Sequence, residues 1–221
     1  SLENQLLIAM PSLGDDYFNK TVTYICEHND EGAMGLIINM PVNITLQDLL
    51  KQNEENDLAQ SNKDNIGKKF DGKEVKQSEQ EKSTEQKLAP TSVKNIMLDH
   101  NLEQLVLSGG PISQNRGFVL HRTQSGWKSS LALSDDIMIT TSKDILMALG
   151  TTQAPEQFIV TLGYAGWGPG QLETELQANS WLTIDADSEI LFNTPFEQRW
   201  QKATEKIGID IAHLSSDIGH A

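Results

Sequence analysis

One stretch of the sequence, residues 162–181 (LGYAGWGPGQLETELQANSW), constrains the fold most, because it joins an apolar run to a helical pattern through four glycines. The preceding run, 157–162 (QFIVTL), is apolar and β-branched enough to predict a buried strand. Leu172 and Leu176 then recur at the i, i+4 spacing of a helix, and 181–184 (WLTI) resumes a strand pattern. The stretch therefore predicts a β-loop-α-β unit, the building block of an α/β fold.

Glycine dominates the predicted loop between this strand and this helix, and glycine takes positive φ at little steric cost. A loop at a helix N-terminus is able to bind an anion, but the P-loop pattern is absent and Gln171 stands where the dinucleotide pattern needs glycine. The loop is either a ligand site walled by Tyr164 and Trp167 or a tight turn packed under these rings. The glycines are Gly163, Gly166, Gly168 and Gly170.

The charge balance opposes binding to polyanions. The 221 residues include 31 acidic and 17 basic side chains, for a formal net charge of −14. Three of the basic side chains are arginines, although arginine is the side chain best suited to phosphates and guanine edges. We therefore expect no direct contact with nucleic acid. No apolar run reaches the length of a membrane span, so we also expect no membrane partner.

The single cysteine, Cys26, makes an intramolecular disulfide impossible and is typical of a reducing compartment. The apolar run 6–10 is too short for the core of a signal peptide, and no basic residue precedes it. We therefore expect a cytoplasmic protein.

Short β-branched and apolar runs predict further strands at 5–9, 21–26, 34–38, 105–107, 117–121 and 137–140. Capping patterns predict three more helices. Glycines at 150 and 208 are placed to end the second and the third of these helices. The capping pairs are Thr45 with Asp48, Thr141 with Asp144, and Thr194 with Glu197.

A charged segment interrupts this pattern. Residues 51–99 contain nine lysines and ten acidic residues, and Val75 is the one large apolar residue between 71 and 87. Such a segment cannot bury enough apolar surface to offset its conformational entropy. We expect one domain over 1–221, interrupted by a flexible charged insert at about 56–91.

Several long motifs occur in an order that closely resembles the AlgH-like family, also called YqgE-like. The resemblance implies a bacterial, cytosolic protein of mixed α+β architecture, in which a bifurcated mixed sheet, partly closed as a small barrel, is surrounded by helices. The family carries no assigned biochemical role, and its name implies a part in the transcriptional regulation of alginate production. The insert at 56–91 is longer than this family needs. The motifs are LLIAMP (6–11), GAMGLIIN (32–39), GGP (109–111), LGYAGWGPGQLETEL (162–176), NSWL (179–182) and the terminal GHA (219–221).

Cys26 and His28 are the sharpest enzymatic candidates. Residues i and i+2 of a strand share a face, so thiol and imidazole could act as nucleophile and base. The neighbouring Glu27, Asp30 and Glu31 oppose a low thiol pKa, and a lone cysteine in a strand is commonly a small buried hydrophobe. The two residues lack a second pair at metal-ligand spacing, so we expect no metal and no other cofactor.

Two adjacent acidic pairs could supply carboxylates for acid-base work or for a divalent ion. Both pairs flank predicted loops, where acidic side chains are commonly solvated without a further role. The pairs are Asp15 with Asp16 and Asp135 with Asp136.

Several predicted strands end in proline or glycine turns. In open α/β sheets the ligand crevice lies beyond the carboxyl ends of the strands, so parallel neighbours would bring these turns to one cleft. This favours a regulatory or binding protein that acts through a small ligand or a protein partner. The alternative is a hydrolase or transferase-type enzyme with Cys26 as nucleophile and His28 as base. The ligand-binding candidates are Gly110, Pro111, Gly163, Tyr164, Gly166, Trp167 and Gly168.

Overall fold

The computed structural model describes residues 1–67 and 101–208. Its strands are β1 (Gln5–Ala9), β2 (Val22–Asn29), β3 (Gly32–Ile37), β4 (Pro41–Thr45), β5 (Leu105–Ser108), β6 (Ile112–Arg122), β7 (Ser130–Ala132), β8 (Ile137–Thr140), β9 (Phe158–Trp167) and β10 (Trp181–Asp185). Its α-helices are α1 (Leu46–Gly67), α2 (Lys143–Ala148), α3 (Gln171–Gln177) and α4 (Arg199–Ile207).

The described strands form one sheet that bifurcates at β9. The main path runs β10-β1-β2-β3-β9-β6-β8-β7, and β4 and β5 branch from it. β9 pairs with β6 along one edge. On its other edge, residues 165–167 pair antiparallel with β3, whereas Thr161 and Leu162 pair parallel with β5. The mixed, bifurcated sheet that the family resemblance implied is therefore confirmed.

The main path curls strongly into an antiparallel half-barrel. Side chains of β7 and β8 line one cavity together with side chains of β2. Residues 134–137, between β7 and β8, and 186–188, after β10, line another. The two ends of the sheet therefore approach each other, which is the partial closure that the resemblance implied.

Gly163 sets the point at which the sheet divides. Its φ is +76°, and a side chain at this position would meet the carbonyl oxygen of Gly110. A side chain at Gly110 would in turn overlap the backbone of Tyr164. Glycine therefore bends β9 here without ending it. The prediction of a loop from 163 to 170 is wrong, because the strand continues to Trp167 by pairing with β3, and 168–170 alone turn into α3.

Three apolar clusters hold the sheet and the helices together. The largest fills the inside of the half-barrel and includes Tyr24 and Leu120, both fully buried. A second lies outside the sheet, under Leu49 of α1 and Ile145 of α2. A third lies under Leu172 of α3. The sheet is thus covered on its outer face by helices and filled on its inner face by side chains.

Helix α4 closes one end of the half-barrel. The indole N–H of Trp200 donates to the carbonyl oxygen of Ala9 over 3.0 Å. Arg199 is buried, and its guanidinium donates to the carbonyl oxygens of Thr194 (3.0 Å) and of Ile38. Burial lowers the pKa of Arg199 to about 10. The helix ends where predicted, at Gly208 in the left-handed conformation.

The structure confirms the first of the three predicted capping pairs. The N–H of Thr45 donates to the Asp48 carboxylate (3.1 Å), and the N–H of Asp48 donates to the Thr45 hydroxyl (3.2 Å). Helix α1 runs to Gly67 and is longer than the short helix predicted. Residues 68–100, with most of the predicted insert, lie outside the described residues.

The other two capping predictions are wrong. Helix α2 has Ser142 at its N-cap, because the Asp144 carboxylate accepts instead from the N–H of Lys128 and from the Ser142 hydroxyl. Before α4, the Thr194 hydroxyl donates to the carbonyl oxygen of Glu189, and the chain passes through the 3₁₀ turn Phe196–Gln198. The Asp144 carboxylate and the Thr194 hydroxyl thus each bind another chain segment.

Two strands were not predicted, and the described strands of the main path are not the parallel neighbours that would bring the turns to one cleft. β4 (PVNIT) and β7 (SLA) are short, and β4 begins with a proline, a residue that is atypical of strands. β5 pairs with β9 in parallel, whereas the pairs along the main path are antiparallel. The strand ends therefore do not all meet at one edge of the sheet.

Candidate functional site

The end of the half-barrel opposite α4 stays open and contains a cavity of about 500 Å³. Strands of the main path from β2 to β7 contribute to it, so the cavity is a product of the curl. Barrel mouths of this kind are frequent ligand sites. The lining residues are Cys26, Glu27, Met34, Arg116, Phe118, Ser129, Ser130, Leu131, Ile139, Thr141 and Tyr164.

Strand periodicity explains why these side chains point inward. On β6, Leu120 lies in the inner cluster, and Phe118 and Arg116 follow at steps of two residues toward the opening. On β2, Tyr24 and Cys26 are related in the same way. The inner core of the half-barrel therefore continues directly into the floor of the cavity.

Aromatic side chains form the floor. The rings of Phe118 and Tyr164 pack edge to face, with centroids 6.0 Å apart at an angle of 73°. The guanidinium of Arg116 lies 5.2 Å from the centroid of Phe118. At the rim, Leu131 leaves 59 % of its surface exposed. The site thus offers apolar surface to solvent beside the positive charge of the exposed Arg116.

A chain of hydrogen bonds holds the β7 wall of the cavity. The hydroxyl of Ser130 lies 2.7 Å from that of Thr140, which lies 2.8 Å from Nε2 of His121. Nδ1 of His121 is 2.8 Å from the carbonyl oxygen of Arg122. A carbonyl only accepts, so Nδ1 carries the proton and Nε2 accepts from Thr140. Burial lowers the pKa of His121, which keeps this imidazole neutral.

Cys26 lies at the inner side of the cavity with 5 % of its surface exposed. Its sulfur is 3.8 Å from the carbonyl oxygen of Tyr24. Burial raises the pKa of this thiol, and the negative charge of Glu27 raises it further. The thiol is therefore protonated near neutral pH, the opposite of the environment that activates a nucleophilic cysteine.

His28 is engaged away from the thiol. Its Nε2 lies 2.6 Å from the Glu173 carboxylate, and its Nδ1 accepts from the N–H of Leu2 over 3.0 Å. The hydrogen bond with His28 contributes to lowering the pKa of Glu173, after a larger backbone contribution. A β-bulge between Ile25 and Glu27 shifts the register at Cys26. Both ring nitrogens of His28 thus have partners other than Cys26.

Tyr164 and Trp167 point to opposite faces of β9, because they are three positions apart on a strand. Tyr164 lines the cavity, whereas Trp167 is buried in the outer cluster under α3. The indole N–H groups of Trp167 and Trp181 both donate to one Glu175 oxygen, over 3.0 and 2.7 Å. The prediction that both rings wall one cleft is therefore not supported.

The remaining ligand-binding candidates are brought only partly together. Gly110 and Gly163 abut at the bifurcation through their backbones, and Pro111 is exposed beside them. Gly166 leaves room for Ile112, whose Cδ1 would lie 3.0 Å from a side chain there. The N–H of Gly168 donates to the Gln171 side chain over 3.0 Å. These glycines shape β9 and its turn, and none of them lines the cavity.

The acidic pairs form no metal centre in the described residues. Asp15 accepts from the N–H of Tyr17 over 2.8 Å. Asp135 and Asp136 line a separate cavity of about 340 Å³ with Asp187. Asp136 lies 3.5 Å from the Arg122 guanidinium, and Asp187 lies 2.8 Å from Lys206. Basic side chains of the protein therefore offset the negative charges of Asp136 and Asp187.

Sequence reasoning identified Cys26 and Tyr164 as candidates and missed the other lining residues, which include Met34, Arg116, Phe118, Leu131 and Ile139. One signal was available, because Arg116, Phe118 and Leu120 alternate along a strand. Their meeting with Met34 of β3 depends on the curl of the sheet, which no local pattern contains.

A bifurcated, curled sheet that is closed by a helix at one end and opens onto an apolar cavity at the other defines an α+β half-barrel protein. The chain belongs to the AlgH-like family (DUF179), whose profile matches residues 6–212. It is 69 % identical to a UPF0301 protein of Colwellia psychrerythraea, covering 100 % of this chain and 99 % of that one. It is 48 % identical to a UPF0301 protein of Vibrio cholerae, covering both chains completely.

The fold is similar to a solved structure of the same family. The solution structure of the AlgH protein from Pseudomonas aeruginosa matches with a TM-score of 0.66 at 36 % identity, covering 100 % of this chain and 96 % of that chain. Among the residues that the structure describes, no helix is both long and apolar enough to cross a membrane.

Proposed function

We propose that this protein is a cytosolic, non-catalytic binding protein that holds a small ligand in the cavity at the open end of the half-barrel. One observation carries the proposal: an apolar, aromatic-floored cavity of about 500 Å³ opens to solvent where the inner core ends. This volume lies within the range of small-molecule sites, roughly 300–1,000 Å³. A single, buried, unpaired cysteine fits a reducing compartment.

The contacts of Cys26 and His28 favour binding over catalysis. A nucleophilic thiol needs a lowered pKa and a base within hydrogen-bond reach. Cys26 has a raised pKa, and both nitrogens of His28 have other partners. The thiol therefore contributes to the cavity as a small apolar group.

A part in transcriptional regulation, which the family name implies, fits this proposal through a ligand or a protein partner. The net charge of −14 opposes direct contact with duplex DNA. Binding of the ligand would change the rim around Leu131, the exposed apolar surface nearest to the cavity. A partner protein that contacts this rim would then distinguish the ligand-bound protein from the ligand-free protein.

The test is native mass spectrometry of the protein purified from its own host. We expect a retained small molecule on the wild-type chain and its loss from Met34→Trp, because Met34 is a half-buried lining residue and the larger indole would obstruct the cavity. Met147→Trp is the matched control, since Met147 is 52 % exposed on α2 and lies outside the cavity.

The ligand should therefore remain on Met147→Trp. Equal retention by both variants would place the molecule elsewhere on the protein. A wild-type chain that retains nothing from its host and binds no apolar probe in the cavity would contradict the proposal.

A further inference from the structure

The cavity contains a cation, Arg116, that has no counter-charge in the described part of the chain. Arg116 contacts the Phe118 ring through its guanidinium. Within the described ranges, 1–67 and 101–208, this guanidinium forms no ion pair and donates no hydrogen bond to protein. A guanidinium has five N–H donors in a planar fork. Those of Arg116 therefore remain available at the opening of the cavity.

The other two arginines, Arg122 and Arg199, have partners within the protein. Arg122 lies 3.5 Å from the Asp136 carboxylate and donates to Gln157 over 3.0 Å. Arg199 is buried and donates to two backbone carbonyl oxygens. Acidic residues outnumber basic ones by 31 to 17, so counter-charges are abundant in the chain. Arg116 has no acidic partner among the residues that the structure describes, and it lines the cavity.

The second charged residue of the lining, Glu27, makes the two sides of the cavity electrostatically different. Glu27 enters from β2, and in the sheet β3 and β9 lie between β2 and β6, which carries Arg116. The Glu27 carboxylate accepts from the Asn29 amide over 2.9 Å. A negative group bound near Glu27 would be repelled, whereas the same group beside Arg116 would be attracted. The apolar residues Met34, Phe118 and Tyr164 complete the lining.

We infer that the ligand is a small organic anion whose apolar body covers the Phe118 and Tyr164 rings and whose anionic group accepts hydrogen bonds from Arg116. This inference rests on the proposed function and names the class of ligand for the same cavity. Arginine binds carboxylate, sulfonate and phosphate oxygens in the same way, by charge-assisted and commonly bidentate hydrogen bonds. The Phe118 ring attracts the guanidinium, which lies 5.2 Å from its centroid, and so favours a position beside the cavity floor.

Two fluorescent probes with one aromatic body test the inference. 8-Anilinonaphthalene-1-sulfonate carries the anion, and N-phenyl-1-naphthylamine is its uncharged counterpart. We expect the wild-type protein to bind both and Arg116→Gln to weaken binding of the sulfonate about tenfold, the usual size of a hydrogen bond to a charged group. Binding of the amine should not change. Added salt should weaken binding of the sulfonate alone.

Matched variants separate this inference from the proposed function. Arg122→Gln removes a guanidinium outside the cavity and should leave both affinities unchanged, whereas Glu27→Gln should strengthen binding of the sulfonate. Met34→Trp should abolish binding of both probes. If Met34→Trp abolishes binding but Arg116→Gln affects the two probes equally, the anion class is overturned and the cavity stays. If neither probe binds in a manner that Met34→Trp abolishes, both proposals are overturned.

Discussion

The apolar core of the half-barrel ends differently at its two ends. At the closed end, α4 covers the core, and the polar atoms of Arg199 and Trp200 bind carbonyl oxygens of the chain. At the open end, the core continues into a cavity, Arg116 has no counter-charge among the described residues, and Leu131 is exposed.

This difference distinguishes residues that stabilise the fold from residues that stability does not explain. Pairing buried polar groups and covering apolar surface both stabilise a folded chain. The closed end does both, so its residues are explained by stability. The open end leaves Leu131 exposed and the exposed Arg116 guanidinium without a partner among the described residues, and stability alone does not account for these two residues. A ligand that covers the rings and pairs with Arg116 does.

The largest effect is expected at the closed end. Trp200→Ala should lower the free energy of unfolding by about 3–5 kcal/mol, because it removes a buried indole and leaves a cavity under α4. Leu131→Ala at the open end should change it by less than about 0.5 kcal/mol, since Leu131 is exposed. Urea denaturation of both variants measures the contrast. Equal losses would mean that the open end is also part of the stabilising core.

The reactivity of the one cysteine comes next. Native protein at pH 7.5 should react with a disulfide reagent at least about a hundredfold more slowly than denatured protein, because burial both covers Cys26 and raises its thiol pKa. The chain has one cysteine, so the signal has a single source. A native rate above the denatured rate would instead support the alternative enzyme with Cys26 as nucleophile.

Arg199 tests whether the closed end depends on its polar pairs. Arg199→Met keeps much of the side-chain volume but leaves the carbonyl oxygens of Thr194 and Ile38 without a donor. We expect a loss of about 2 kcal/mol, since unpaired buried acceptors outweigh the relief from burying a charge. Arg122→Met, at a half-exposed ion pair, is the control and should cost less than about 1 kcal/mol. An Arg199→Met protein as stable as wild type would show that the pairs contribute little.

The smallest expected effect is the pH dependence of the free energy of unfolding that His121, in the wall of the cavity, contributes. Burial lowers the pKa of His121 in the folded chain, so the unfolded chain takes up the proton first, near pH 6.5. The free energy of unfolding should therefore fall below about pH 6.5, by at most about 1.4 kcal/mol per pH unit from this group. His121→Gln should lack this part of the dependence. A wild-type protein and a variant with parallel pH profiles would contradict the neutral, buried imidazole.

The sequence predicted most elements, because apolar alternation and capping pairs are local signals. Thr45 with Asp48, and Gly208, mark helix ends that the structure confirms. The predicted loop at 163–170 was wrong. Gly163 bends β9, and β9 continues to Trp167 because it pairs with β3. Such pairing joins residues more than a hundred positions apart and leaves no trace in a short window.

The site was less predictable than the fold. Tyr164 was identified as a candidate and lines the cavity, but it was paired with Trp167, which a strand places on the other face. Arg116 and Leu131 reach the same cavity only because the sheet curls until β7 faces β2. That curl depends on the whole sheet, so the lining could not be assembled from local patterns.

The central claim is that the open end binds a ligand and that the closed end does not. Two-dimensional ¹H–¹⁵N NMR spectra of the labelled protein, titrated with N-phenyl-1-naphthylamine, test it directly. The account predicts the largest shifts at the amides of Met34, Phe118, Leu131 and Tyr164 and no shift of the Trp200 indole N–H, which is bonded to Ala9. Shifts centred on the Trp200 indole, or spread equally over both ends, would contradict it.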